Sequence, residues 1–93
     1  MTEDVVCLRV EFRGRVQGVG FRMTTARIAR RFPLGGTVRN CTNGSVEIVV
    51  SGTREAVDDF LETLREAMRG NIEDELAAPG PVGISTDRFK IVH

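Results

Sequence analysis

The chain has 93 residues in which 13 basic and 13 acidic groups balance, a length that suits one domain over 1–93 with a single core and no need of a disulfide or metal staple. No apolar run approaches the roughly 18 residues of a membrane span, the opening Met-Thr-Glu-Asp lacks a basic-then-apolar leader pattern, and Cys7 and Cys41 are too few for a disulfide framework; the reading is a cytoplasmic protein with reduced thiols and no membrane association. The charges are segregated, with eight basic against four acidic side chains in residues 1–50 and five against nine in residues 51–93, so the first half suits a small anionic ligand.

Residues 5–13 alternate, with Val6, Leu8, Val10 and Phe12 on one side and Cys7, Arg9, Glu11 and Arg13 on the other, which predicts a strand with one covered and one wet face. Residues 14–22, Gly-Arg-Val-Gln-Gly-Val-Gly-Phe-Arg, follow. Three glycines in seven positions let many backbone N–H groups turn toward one centre, and an arginine closes the stretch inside the start of the next element, forming a candidate anion cradle. Phe21, Thr25, Ile28 and Phe32 then fall at i, i+4, i+7 and i+11, the stripe of an amphipathic helix, which Pro33, Gly35 and Gly36 are expected to end.

Residues 37–41 and 45–51 read as two strands joined around Thr42-Asn43-Gly44. A two-residue turn would leave Val38 on the face away from Val46, Ile48 and Val50. A three-residue loop with Gly44 left-handed pairs Asn40 with Val46, Arg39 with Glu47 and Val38 with Ile48, which groups the apolar side chains and opposes unlike charges. Thr53 is placed to cap a second helix whose buried stripe is Val57, Phe60, Leu61, Leu64 and Met68, with Gly70 as its stop. In residues 71–85, Ile72 and Leu76 suggest an edge strand, whereas Ala77-Ala78-Pro79-Gly80-Pro81 reads as a loop. Phe89 and Ile91 mark a final strand over 88–92.

The order is βαββαβ with a possible extra terminal strand. Right-handed crossovers turn that order into an α+β, ferredoxin-like sandwich, an antiparallel sheet with two helices on one face. A strand-helix-strand unit makes the first two strands parallel, so the loop after Phe12 and the end of the strand at Asn40 are expected at the same end of the sheet.

Residues 14–22, followed by Gly36-Thr37-Val38-Arg39-Asn40 and Asn43-Gly44-Ser45-Val46-Glu47, resemble the acylphosphatase family over nearly the whole chain and in its element order. The loop is neither a Walker loop nor a dinucleotide fingerprint. The resemblance implies hydrolysis of the carboxyl-phosphate bond of small acyl phosphates, with no metal or other cofactor and with inorganic phosphate as product and inhibitor. It implies that backbone N–H groups of Arg15, Val16, Gln17, Gly18, Val19 and Gly20 wrap the phosphate, that Arg22 pairs with its oxygens and that Asn40 positions the attacking water. Departures from the family pattern are Thr37, Asn43 and Met23, and the lack of a Pro-x-Ala-x-Val lead into the fourth strand.

The residue types suit that chemistry. An acyl phosphate has a good leaving group, so orienting the dianion and stabilising charge in a loose transition state are the main tasks. Arginine supplies a fixed fork, and an amide donates to and accepts from one water while staying neutral beside the phosphate. The only histidine, His93, is the last residue, so no general base is expected near the motif; the family resemblance implies that the substrate itself takes the proton, which fits that absence. Gln17 reads as loop support, Phe21 as core, and Arg13, Arg15 and Arg39 as solvated. A non-catalytic anion-binding or regulatory module on the same fold is the rival reading. RNA binding through the open face lacks the stacking aromatics it needs, so no nucleic-acid partner is expected, and the chain is read as a monomer.

Overall fold

A computed structural model describes residues 4–93; residues 1–3, on which most of the leader reading falls, lie outside the described residues. The elements are β1 (Val5–Gly14), α1 (Phe21–Ala29), β2 (Leu34–Asn40), β3 (Val46–Thr53), α2 (Arg54–Ala67), β4 (Ile72–Pro79) and β5 (Phe89–Ile91). They form one sheet in the order β4-β1-β3-β2-β5, with both helices packed against the same apolar face. This is the ferredoxin-like βαββαβ sandwich, extended by a fifth strand.

The expectation of a purely antiparallel sheet is corrected at one edge, where β5 runs parallel to β2. The reason is topological. β4 is antiparallel to β1 and ends opposite Leu8, towards the end of the sheet where β1 begins. The connection over 80–88 passes that end, and β5 starts level with Gly36 near the beginning of β2, running the same way. The Gly80 N–H to Cys7 O bond (2.9 Å) and the Gly36 N–H to Arg88 O bond (2.8 Å) fasten the crossing at its two ends.

Alternation produces the covered face: Val10 and Phe12 from β1, Val38 from β2 and Ile48 and Val50 from β3 are fully buried against Phe60 and Leu64 of α2. The opposite face is polar, and Glu47 accepts from Arg39 (3.0 Å) with Arg9 at 3.7 Å. The three-residue turn is present, with Asn40 opposite Val46, Arg39 opposite Glu47 and Val38 opposite Ile48. α2 starts on Thr53, whose Oγ1 accepts from the Ala56 N–H at 3.1 Å, and carries Glu55 in its first turn and Arg65 in its last, an arrangement that suits the helix dipole.

Two local readings change. The stretch Ala77-Ala78-Pro79 is strand rather than loop, for β4 pairs with β1 from Ile72 opposite Gly14 to Pro79 opposite Leu8. Proline is tolerated at the last position of an edge strand, where no ladder donor is missed. Gly35 and Gly36 lie inside β2, which begins at Leu34, instead of ending α1.

The register places the site. Val46 pairs with Phe12 on one side and Asn40 on the other, so the ends of β1 and β2 lie about 10 Å apart, two strand spacings, at the same end of the sheet. The loop after β1 crosses this end before α1 begins.

Candidate active site

α1 starts without a side-chain cap. Its N-cap is Gly20, in the left-handed region at φ 77°, with no acidic residue in the first turn, in contrast to the Thr53 start of α2. Gly18 shares the left-handed conformation at φ 76°, which an L side chain adopts only at a cost of about 1–2 kcal/mol. The first intrahelical bond runs from the Thr24 N–H to Gly20 O at 3.0 Å, so the N–H groups of Gly20, Phe21, Arg22 and Met23 have no partner within the helix. Among the described residues no backbone carbonyl accepts from the N–H groups of residues 16–19 either. Oriented N–H groups and the positive end of a helix favour an anion.

Side chains fasten this loop at both ends. Asn71 holds its entrance: the Arg15 N–H donates to Asn71 O at 2.9 Å, and Asn71 Nδ2 donates to Arg15 O at 3.0 Å. The Arg15 N–H is therefore engaged, and its exposed side chain lies outside the cavity lining. Gln17 Nε2 reaches across to the β2–β3 turn and donates to both Cys41 O and Ser45 O at 2.8 Å. Phe21 packs its ring 5.6 Å from that of Phe12, tying the helix start to β1. Asn71 was missed in the sequence because it lies in the segment with the weakest pattern.

Val16, Gly18, Gly20, Phe21, Arg22, Met23 and Asn40 line one cavity of about 120 Å³, well below the roughly 300 Å³ at which drug-sized pockets begin. Val16 is buried, Gly18, Val19 and Gly20 are exposed, and Gln17, Arg22 and Asn40 are half-buried. Asn40 shares the phase of Val38 and faces the helix side of the sheet, at the mouth of the loop. Larger depressions of about 720 Å³ between α1 and α2 and about 400 Å³ beside the start of β2 are open grooves without the uncapped helix start. Among the described residues no three His, Cys, Asp or Glu side chains cluster as a metal site requires. No helix among the described residues is long and apolar enough to cross a membrane.

One sequence expectation is overturned. His93 Nδ1 lies 3.2 Å from Arg22 Nη1, so the histidine stands at the site, delivered there by β5.

Glu11 supports the turn that Gln17 grips. Its carboxylate accepts from Ser45 Oγ at 2.8 Å and Asn43 Nδ2 at 3.2 Å, and it pairs with Arg13 at 2.9 Å. The Ser45 hydrogen bond, then that of Asn43 and the Arg13 cation, hold its carboxyl below the usual glutamate range. A lowered folded-state value contributes stability above the ordinary glutamate range and loses it as pH falls through the lowered value. Glu11→Gln is expected to melt below wild type at neutral pH, with the gap closing in acid as the pH falls through the lowered value and the wild-type carboxyl protonates. Melting curves at neutral and acid pH check this, and an unchanged gap would remove the ionised carboxylate from the account.

These features define a small α+β domain that presents an uncapped helix start, an arginine and an amide to one compact cavity. The family model for acylphosphatase matches residues 8–91. An acylphosphatase of Nitrobacter winogradskyi is 47% identical over 77 residues, covering 78% of each chain. One of Methanothrix thermoacetophila is 33% identical over 88 residues, covering 95% of this chain and 98% of that one. The crystal structure of acylphosphatase from Bacillus subtilis superposes with a TM-score of 0.84 at 31% identity, covering 97% of this chain and 100% of that chain. The chain belongs to the acylphosphatase family.

Proposed function

We propose that this protein hydrolyses small acyl phosphates to a carboxylate and inorganic phosphate, with Arg22 and the glycine loop binding the phosphoryl group and Asn40 holding the water. The observation that carries the reading is the uncapped start of α1 facing the same cavity as Arg22 and Asn40. In the proposed step the water oxygen bonds to phosphorus as the bond from phosphorus to the acyl oxygen breaks. The electron pair leaves with the carboxylate, and the water's proton passes to a phosphoryl oxygen. His93 is not poised to take it, because its Nδ1 lone pair faces the Arg22 donor.

The transition state is loose and its charge spreads over the phosphoryl oxygens. The N–H groups of Val16 to Gly20 and the Arg22 fork supply positive charge where it is needed, already oriented before substrate arrives. The cavity is on the scale of a phosphoryl group, and membership of the acylphosphatase family points to a small acyl phosphate as substrate. We take the enzyme to be a cytoplasmic monomer without nucleic-acid or membrane partners; its two free cysteines and the ion-paired, ring-free open face of the sheet support this.

The testing experiment is release of phosphate from benzoyl phosphate with no added metal, together with competitive inhibition by inorganic phosphate. Absence of turnover under saturating substrate would leave only a binding module. Within the enzyme, Asn40→Ala is expected to lower kcat by about 10², the scale of one lost transition-state hydrogen-bonding group, while the inhibition constant for inorganic phosphate stays within about twofold. Equal losses in both would make Asn40 a phosphate ligand or a structural residue instead.

A further inference from the structure

We infer that His93 is a positioning residue for Arg22, an imidazole clamp that fixes the guanidinium in the orientation the phosphate requires; this rests on the phosphate role of Arg22 proposed above. The placement follows from β5. Its parallel register sets Phe89, Lys90 and Ile91 beside Gly36, Thr37 and Val38, and the Val92 N–H donates to Val38 O at 2.9 Å. Two further residues along both segments bring His93 level with Asn40. Its Nδ1 there lies 3.2 Å from Arg22 Nη1.

The chemistry of the pair has one direction. A guanidinium carries only donors, so Nδ1 must be the acceptor and the ring must be neutral with its proton on Nε2. The contact occupies one N–H of Nη1. Nε and Nη2, the side of the fork that engages two oxygens of an oxyanion at once, remain available. Arginine is otherwise a flexible side chain, and no other side chain among the described residues hydrogen-bonds to Arg22. Freezing its rotamers before substrate arrives removes an entropy loss from the binding step. The benefit appears in phosphate affinity more than in the chemical step.

The test compares wild type with His93→Leu, which has no acceptor, and His93→Asn, whose Oδ1 can take the place of Nδ1. Because His93 is exposed, neither change disturbs the core. For His93→Leu the KM for benzoyl phosphate and the inhibition constant for inorganic phosphate should rise together by about fivefold, the size of an exposed hydrogen bond to a charged group. The kcat should change by less than about twofold, and His93→Asn should recover most of the loss at an unchanged melting temperature. Unchanged constants in His93→Leu, a fall in KM, or equal impairment of both variants would overturn the clamp. Phosphate affinity measured by calorimetry keeps the two readings separable. A wild type that binds phosphate without turnover sinks the hydrolytic reading, and the clamp is still judged on affinity; a wild type that does not bind phosphate sinks both.

Discussion

Arg22→Gln is expected to lower benzoyl phosphate hydrolysis by about 10³, the upper end of what one preorganised charge donor supplies in a transition state, with melting temperature and circular dichroism close to wild type. The separation of activity from stability follows from position. Arg22 is in the first turn of α1 with a half-buried side chain whose one hydrogen bond among the described residues is to His93. Glutamine keeps much of the length and a good helix propensity, so neither core nor helix is disturbed. What is lost is a fixed positive fork beside N–H groups that only partly offset a dianion. Arg22→Lys restores the charge as a point without the two-pronged geometry and should recover only part of the activity. Rates are compared at saturating substrate as well as in kcat/KM, since a pure affinity defect would disappear at saturation. Retention of more than about a tenth of wild-type kcat would assign the charge stabilisation elsewhere.

Much of the fold was legible because side-chain phase leaves few choices. Val38 and Ile48 must share a face, which alone selects the three-residue turn and the Asn40–Val46 pairing. Thr53 announced α2 by capping chemistry that the structure repeats at 3.1 Å. β4 was harder to see, because a strand is recognised by the apolar side chains it buries, and this one buries little. Ile72 is half-buried, Leu76 is 49% exposed, and Ala77, Ala78 and Pro79 are all exposed. Backbone pairing with β1 makes it a strand, and backbone groups carry no sequence signal.

The same distinction runs through the site. The loop was readable as a candidate cradle from its glycines and arginine, and topology put it at one end of the sheet with Asn40. The residues that hold it in place were less visible, since Asn71 and His93 act over separations of 56 and 71 residues. Gln17 was read as support, but its acceptors, Cys41 O and Ser45 O, are carbonyls that any residue type would present. Long-range positioning becomes legible only once the register of both edge strands is known. Gly35 and Gly36 show the converse error: glycines after a helix suggest a stop, whereas here they permit close approach inside a strand.

Gly36 therefore gives the sharpest test of how the fold serves the site. It lies buried in β2 between β3 and β5, at φ 141°, and a Cβ there would sit 1.8 Å from Val49 O. The obstacle is backbone in the middle of the sheet, so it cannot be relieved by turning a side chain. Gly36→Ala is expected to destabilise the protein by about 3 kcal/mol or more, combining overpacking with a forbidden backbone angle. For a domain of this size that lowers the melting temperature by about 12–24 °C. Gly52→Ala is the control: its Cβ would meet Leu34 Cβ at 3.0 Å, and it has no left-handed backbone to violate. The Gly36 N–H also donates to Arg88 O at 2.8 Å, the first link of the β2–β5 pairing that ends with His93 at Arg22. Gly36→Ala protein that remains folded at low temperature should consequently bind inorganic phosphate less well, although residue 36 does not line the cavity. A fall of less than about 4 °C, which at this size corresponds to under 1 kcal/mol, would mean that the sheet can widen at this point without strain.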